Sequence, residues 1–105
     1  MRDPGYQQWI REQPCIMRGR RYESRAGGHV LGPPHECTTP VQCCHVKSRG
    51  AGGPDHANCV SMCAWMHDAQ HRFGTRSFQS RWAVDLKLEA EQLFRGWVDR
   101  GGQHE

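Results

Sequence analysis

Lysine is nearly absent from this chain, long apolar runs are missing altogether, and each shortage excludes something. No stretch, including the opening MRDPGYQQWI, is apolar enough for a signal peptide or a membrane anchor. The expectation is a cytoplasmic protein with no membrane partner, in a compartment where cysteines stay reduced and metal binding is commoner than disulfides. With 36% apolar residues, 12 glycines, 6 prolines and a mean hydropathy of −0.84, the 105 residues suffice for one domain with a small core. Chains this poor in burial commonly need a metal, a disulfide or a partner subunit as a staple. No internal repeat or low-complexity tract divides the sequence.

Twelve of the fourteen basic residues are arginine, whose planar fork suits phosphate. The net charge is only +3, but it is unevenly spread. Residues 16–50 carry Arg18, Arg20, Arg21, Arg25, Lys47 and Arg49 against Glu23 and Glu36, whereas residues 85–105 are net acidic. Such a basic stretch is ordinarily a solvated face; beside a phosphodiesterase motif it becomes a phosphate-contact surface.

Asp3-Pro4 is suited to cap a short helix with Tyr6, Trp9 and Ile10 on one face, stopped by Pro14. Residues 15–40 are broken by glycine and proline and read as loop with at most one short strand. Val41–Val46 reads as a strand, Gly50–Pro54 as a connector, Cys59–Met62 as a returning strand, and Cys63–Phe73 as a helix ended by Gly74. A further helical piece starts at Ser77. Between Leu86 and Val98, the residues Leu86, Ala90, Leu93, Phe94, Trp97 and Val98 form one apolar stripe, for core packing or for a homodimer face.

Six cysteines and seven histidines are many for so short a chain. Within CCHVKSRGAGGPDHANCVSMCAWMHDAQH, His45 ends a strand, a glycine loop follows, Asn58 opens the return strand, and His67 and His71 lie four apart on a helix. That spacing projects both imidazoles from one helical face, where they can share a cation.

The order His45, Asn58, His67 with a glycine-rich turn resembles the HNH, or ββα-metal, nuclease family, which includes colicin-type DNases and small phage-encoded endonucleases. HVKSRGAGG is similar to the family's H-[IV]-x-x-x-G-x-G-G loop, NCVSMC to its N-L-V-P-L-C strand, and HDAQH to its terminal helix. The resemblance covers roughly residues 43–82, with a weaker echo in WIREQPC at 9–15. It implies a small α+β fold, a ββα-metal (His-Me finger) core over about 41–82, with flanking helices and long irregular N-terminal loops. It also implies DNA as partner, 5′-phosphate and 3′-hydroxyl products, and a phage-infected bacterial host as a setting.

Roles follow from the same resemblance. His45 would be the general base, Asn58 would tie down the loop backbone that aims it, and His67 with His71 would hold a divalent ion (Mg²⁺, Mn²⁺, Ni²⁺ or Zn²⁺). Lys47, Arg49 and Arg72 are candidates for phosphate contacts, with the amides of Gly50–Gly53 able to approach closely. The residue before the base often ligates the metal; here it is Cys44, either a thiolate ligand that would favour zinc or a small buried side chain.

Many relatives carry a structural zinc on two C-x-x-C knuckles, of which this chain keeps only Cys15 and Cys63. Either that zinc site is abandoned as a whole, or Cys37 and Cys43 supply replacements, giving a set of Cys15, Cys37, Cys43 and Cys63. Cys59 reads as packing, and His29, His35 and His104 as solvated; His56 is a candidate phosphate contact. The rival readings are a non-catalytic zinc-containing nucleic-acid-binding module and an assembly factor docking a partner through the terminal helix.

Overall fold

The computed structural model describes residues 3–24, 30–47 and 53–101, which form an α+β fold of four helices and two two-stranded antiparallel sheets. Helix α1 spans Pro4–Arg11, strand β1 Arg21–Ser24, β2 Val30–Pro34, β3 Val41–His45, β4 Cys59–Cys63, α2 Ala64–Phe73, α3 Thr75–Trp82 and α4 Leu86–Asp99. Asp3 caps α1 by accepting from the Tyr6 N–H at 3.1 Å, with Pro4 at the first helical position where its missing N–H costs nothing. Asp85 caps α4 in the same way through the Leu88 N–H at 3.0 Å.

The β1–β2 hairpin puts two strands where loop with at most one short strand is expected over residues 15–40. Its second strand contains Gly32, Pro33 and Pro34, residues that argue against a strand in a sheet interior but are tolerated in an edge ribbon where few N–H groups must be paired. A shift in pairing between Arg21 and Glu23 accommodates the irregularity.

The β3–β4 hairpin is the centre of the molecule. All five residues of β4 are buried, so both of its faces are covered. On one face Cys44, Val60 and Met62 join Met17, Met66, Phe78 and Leu86 in the larger core. On the other, Cys59 packs with Tyr6, Ile10 and Trp97, with Cys43 and Phe94 partly buried against them. Helix α4 serves both cores: Leu86 and Ala90 lie in the first and Trp97 in the second. Its apolar stripe is therefore used within the chain, leaving Val98 and the off-stripe Leu88 exposed. No helix among the described residues is long and apolar enough to cross a membrane.

Candidate metal centres and the His45 loop

Three of the cysteines, with one histidine, converge beside the N-terminus of α2. Cys15, His35, Cys37 and Cys63 each offer one ligand atom, and those four atoms lie within 4.8 Å of one another. A turn after Cys15, closed by Arg18 N–H to Cys15 O and by Gly19 at positive φ, brings in the first thiol. His35 and Cys37 follow β2 directly, two residues apart, and each brings one ligand atom to the group. Cys63 ends β4. His35 Nε2 stands 3.3 Å from Cys63 Sγ, and the Cys63 N–H points at Cys15 Sγ at 3.2 Å. Tetrahedral zinc bound by sulfur would hold its ligand atoms about 3.5–3.8 Å apart, so the group fits that ion with small movements.

The electrostatics favour the ligating form at Cys63 and His35 and oppose it at Cys37, whose thiol would have to lose its proton on binding. Burial raises the Cys63 thiol, but hydrogen bonds from the Thr39 hydroxyl and the Met66 N–H outweigh it and hold the thiol below its ordinary value. Burial, with the neighbouring Cys15 thiol adding to it, pushes Cys37 up to about 12. Burial lowers His35, which keeps its ring neutral and able to donate a lone pair. Trp65 stacks on that ring at 5.6 Å between centroids.

This set corrects two expectations. His35 is not a solvated loop histidine, and Cys43 does not belong to the group. Cys43 lies opposite Ser61, whereas Cys63 lies opposite Val41, so the two thiols are two residues out of step along the hairpin, about 6.6 Å. Cys43 instead hydrogen-bonds to Cys59.

The loop between β3 and β4 is held by one amide. Asn58 Oδ1 accepts from the Lys47 N–H at 2.9 Å, while its Nδ2 donates to the carbonyls of Lys47 and Pro54, both at 2.8 Å. Ala57, in the left-handed region at φ 56°, turns the chain into this position. Gly53 packs under the clamp so closely that a Cβ there would collide with the Lys47 carbonyl and meet Asn58 Nδ2 at 2.8 Å. Gly53→Ala is therefore expected to break the clamp and destabilise the chain by about 1–3 kcal/mol, the cost of leaving such groups unpaired, measured as a fall in denaturant midpoint.

At the base of this loop His45 Nε2 lies 2.8 Å from Asp55 Oδ1. Asp55 is 1% exposed, and its other oxygen, Oδ2, accepts from the Asp3 N–H at 2.6 Å and Gln7 Nε2 at 2.8 Å. Burial works against its charge, yet the hydrogen bonds from His45, Asp3 and Gln7 together hold the carboxyl below its ordinary value. An ionised carboxylate only accepts, so His45 donates from Nε2, and in the neutral ring the lone pair is on Nδ1. Nothing in the motif's spacing singles out Asp55. Cys59, which reads as plain packing, lies within 4.8 Å of the same His45 and Asp55 ligand atoms.

On α2, His67 Nε2 and His71 Nε2 approach to 3.0 Å. Gln42 Oε1 accepts from His67 Nδ1 at 2.7 Å, which fixes the tautomer and leaves Nε2 free to ligate. Burial, then the nearby His71 and His45, lower His67 and favour its neutral form. Two imidazole nitrogens on one tetrahedral ion stand about 3.3 Å apart, so this pair also fits a cation. Cys44 is not the third ligand. It is fully buried, its Sγ is directed to the carbonyls of Gln42 and Met62 at 3.6 and 3.9 Å, and burial pushes its thiol up to about 12.

Of the remaining expected site residues, Lys47 is exposed, and Arg72 is exposed beside Asp68 at 3.3 Å. Arg49 and Gly50–Gly52 lie outside the described residues. His56 is joined to Asp3 Oδ2 at 2.7 Å and stacked on Phe94, which ties it to the start of α1. No protein-family model, curated protein or solved structure matches this chain.

Proposed function

We propose that the chain is a metal-dependent endonuclease of the HNH type, hydrolysing DNA phosphodiester bonds to leave 5′-phosphate and 3′-hydroxyl ends. The observation that carries this reading is the Asn58 clamp, which fixes the Lys47 backbone just beyond His45 while Asp55 fixes the His45 ring. The order β3, clamped loop, β4, α2 is the order a ββα-metal core requires, which supports the reading.

In this reading His45 Nδ1 takes the proton of the attacking water, and Asp55 stabilises the imidazolium that results. His67 and His71 hold the divalent ion, which when bound would neutralise charge on the pentacovalent phosphate and the departing 3′ oxygen. The exposure of His71 leaves room beside the pair for phosphate oxygens. Lys47 and Arg72 supply charge for the DNA backbone. The Cys15–His35–Cys37–Cys63 group would hold a zinc ion as the staple that the small core calls for.

The test is nicking of supercoiled plasmid with Mg²⁺, Mn²⁺, Ni²⁺ or Zn²⁺, with DNA binding followed in parallel. Metal-dependent nicking that disappears in His45→Ala supports the proposal. Retained DNA binding without nicking under any of the metals would instead favour a zinc-containing nucleic-acid-binding module.

A further inference from the structure

We propose that His45, Asp55 and Cys59 form a second cation site, separate from the His67–His71 pair, and that a zinc-class ion held there silences His45. The site itself stands on geometry alone; the silencing rests on the nuclease reading above.

The three ligand atoms lie within 4.8 Å of one another, with Asp55 1% and Cys59 0% exposed. Each is placed by a different constraint. His45 and Cys59 are direct partners in the β3–β4 register, so their side chains leave the hairpin on the same face. Asp55 is fixed by division of labour between its oxygens: Oδ2 takes Asp3 N–H and Gln7, and only Oδ1 faces His45. A carboxylate oriented through its outer oxygen is the usual support of a metal ligand. A tetrahedral ion would open the His45–Asp55 contact from 2.8 Å to about 3.3 Å. Three protein ligands with a fourth position left open is an arrangement common among zinc sites.

The donor set selects the ion. One thiolate, one imidazole and one carboxylate favour Zn²⁺ or Co²⁺ over Mg²⁺, which takes oxygen ligands. On binding, the Cys59 thiol releases its proton to solvent. The imidazole stays neutral: its Nε2 gives up a proton and donates a lone pair to the ion, and Nδ1 takes up a proton from solvent. Nδ1 then has no lone pair with which to accept a proton from water. No oxidation or reduction is involved.

The experiment uses the full chain with the Cys15–His35–Cys37–Cys63 group preloaded with one equivalent of Zn²⁺, then titrated with Co²⁺ and read by absorption. A near-ultraviolet thiolate-to-cobalt band is expected at the second site. Cys59→Ala should abolish it, Asp55→Asn should weaken Co²⁺ binding at least tenfold, and His67→Ala should leave it in place. Circular dichroism shows whether each variant is folded, and Asp55→Asn decides the matter if Cys59→Ala is not. Absence of the band, or its persistence in folded Cys59→Ala, overturns the site. In a second arm, Zn²⁺ at the concentration that fills the site should slow Mg²⁺-supported nicking at least tenfold. Undiminished nicking at that concentration overturns the silencing. A chain with the band but without nicking under any metal keeps the site and loses the nuclease reading, so the two failures are distinguishable.

Discussion

Stripping zinc with a chelator is expected to unfold this protein, or at least to lower its Tm by on the order of 12 °C. Small domains have about 5–15 kcal/mol of stability in total, and a structural zinc can contribute about 10 kcal/mol or more. Even a loss of about 3 kcal/mol moves the Tm of a domain this size by about 12–24 °C. The four candidate ligands tie together three segments distant in sequence, the turn after Cys15, the stretch after β2 and the start of α2, so an ion there would cross-link them. Cys63→Ser and Cys37→Ala should each release zinc and reproduce the effect of chelation. The discriminating pair is His35→Ala, which should lose tight zinc, and Cys43→Ala, which should keep it. Zinc content that falls in Cys43→Ala and is unchanged in His35→Ala would restore the all-cysteine set.

The second large effect is on catalysis. His45→Ala is expected to reduce plasmid nicking by about 10²–10⁴-fold, the usual contribution of a positioned general base, with DNA affinity unchanged. The ring is 17% exposed, so its loss should leave the hairpin folded and metal binding at the separate Cys15–His35–Cys37–Cys63 group unchanged. Asn58→Ala should behave differently. Its amide makes three hydrogen bonds to loop backbone and none to a catalytic side chain, so its removal should lower stability by about 1–3 kcal/mol and activity together. Nicking by His45→Ala at the wild-type rate would remove the general-base assignment, whatever the metal.

Much of the scaffold was legible because it is periodic. The apolar stripe announces α4, and the Asp3-Pro4 and Gly74 signals mark where α1 begins and α2 ends. The spacing of His67 and His71 is enough to pair them, since a helix fixes the geometry of residues four apart. What stayed hidden depends on contacts between distant segments. His35 enters the candidate metal group only because the chain after β2 passes Cys15 and Cys63. The available signal was the H-x-C spacing of His35 and Cys37 after two prolines, which in an extended segment aims both side chains one way. Cys43 is excluded by register, which the sequence of one strand cannot set. Asp55 sits in a loop whose course has no period at all.

Helix α1 has eight residues, too few to be stable alone in water. Its place is secured by rings: Tyr6 meets Trp97 at 5.4 Å and Phe94 at 5.8 Å, and Trp9 meets Trp97 at 5.4 Å. The same helix start supplies the Asp3 N–H and Gln7 amide that grip Asp55, and Asp55 grips His45. The aim of one imidazole therefore depends on an aromatic joint between the two ends of the chain. Anything that loosens that joint, whether a substitution at Trp97 or a partner prising α4 away, acts as a remote control on His45.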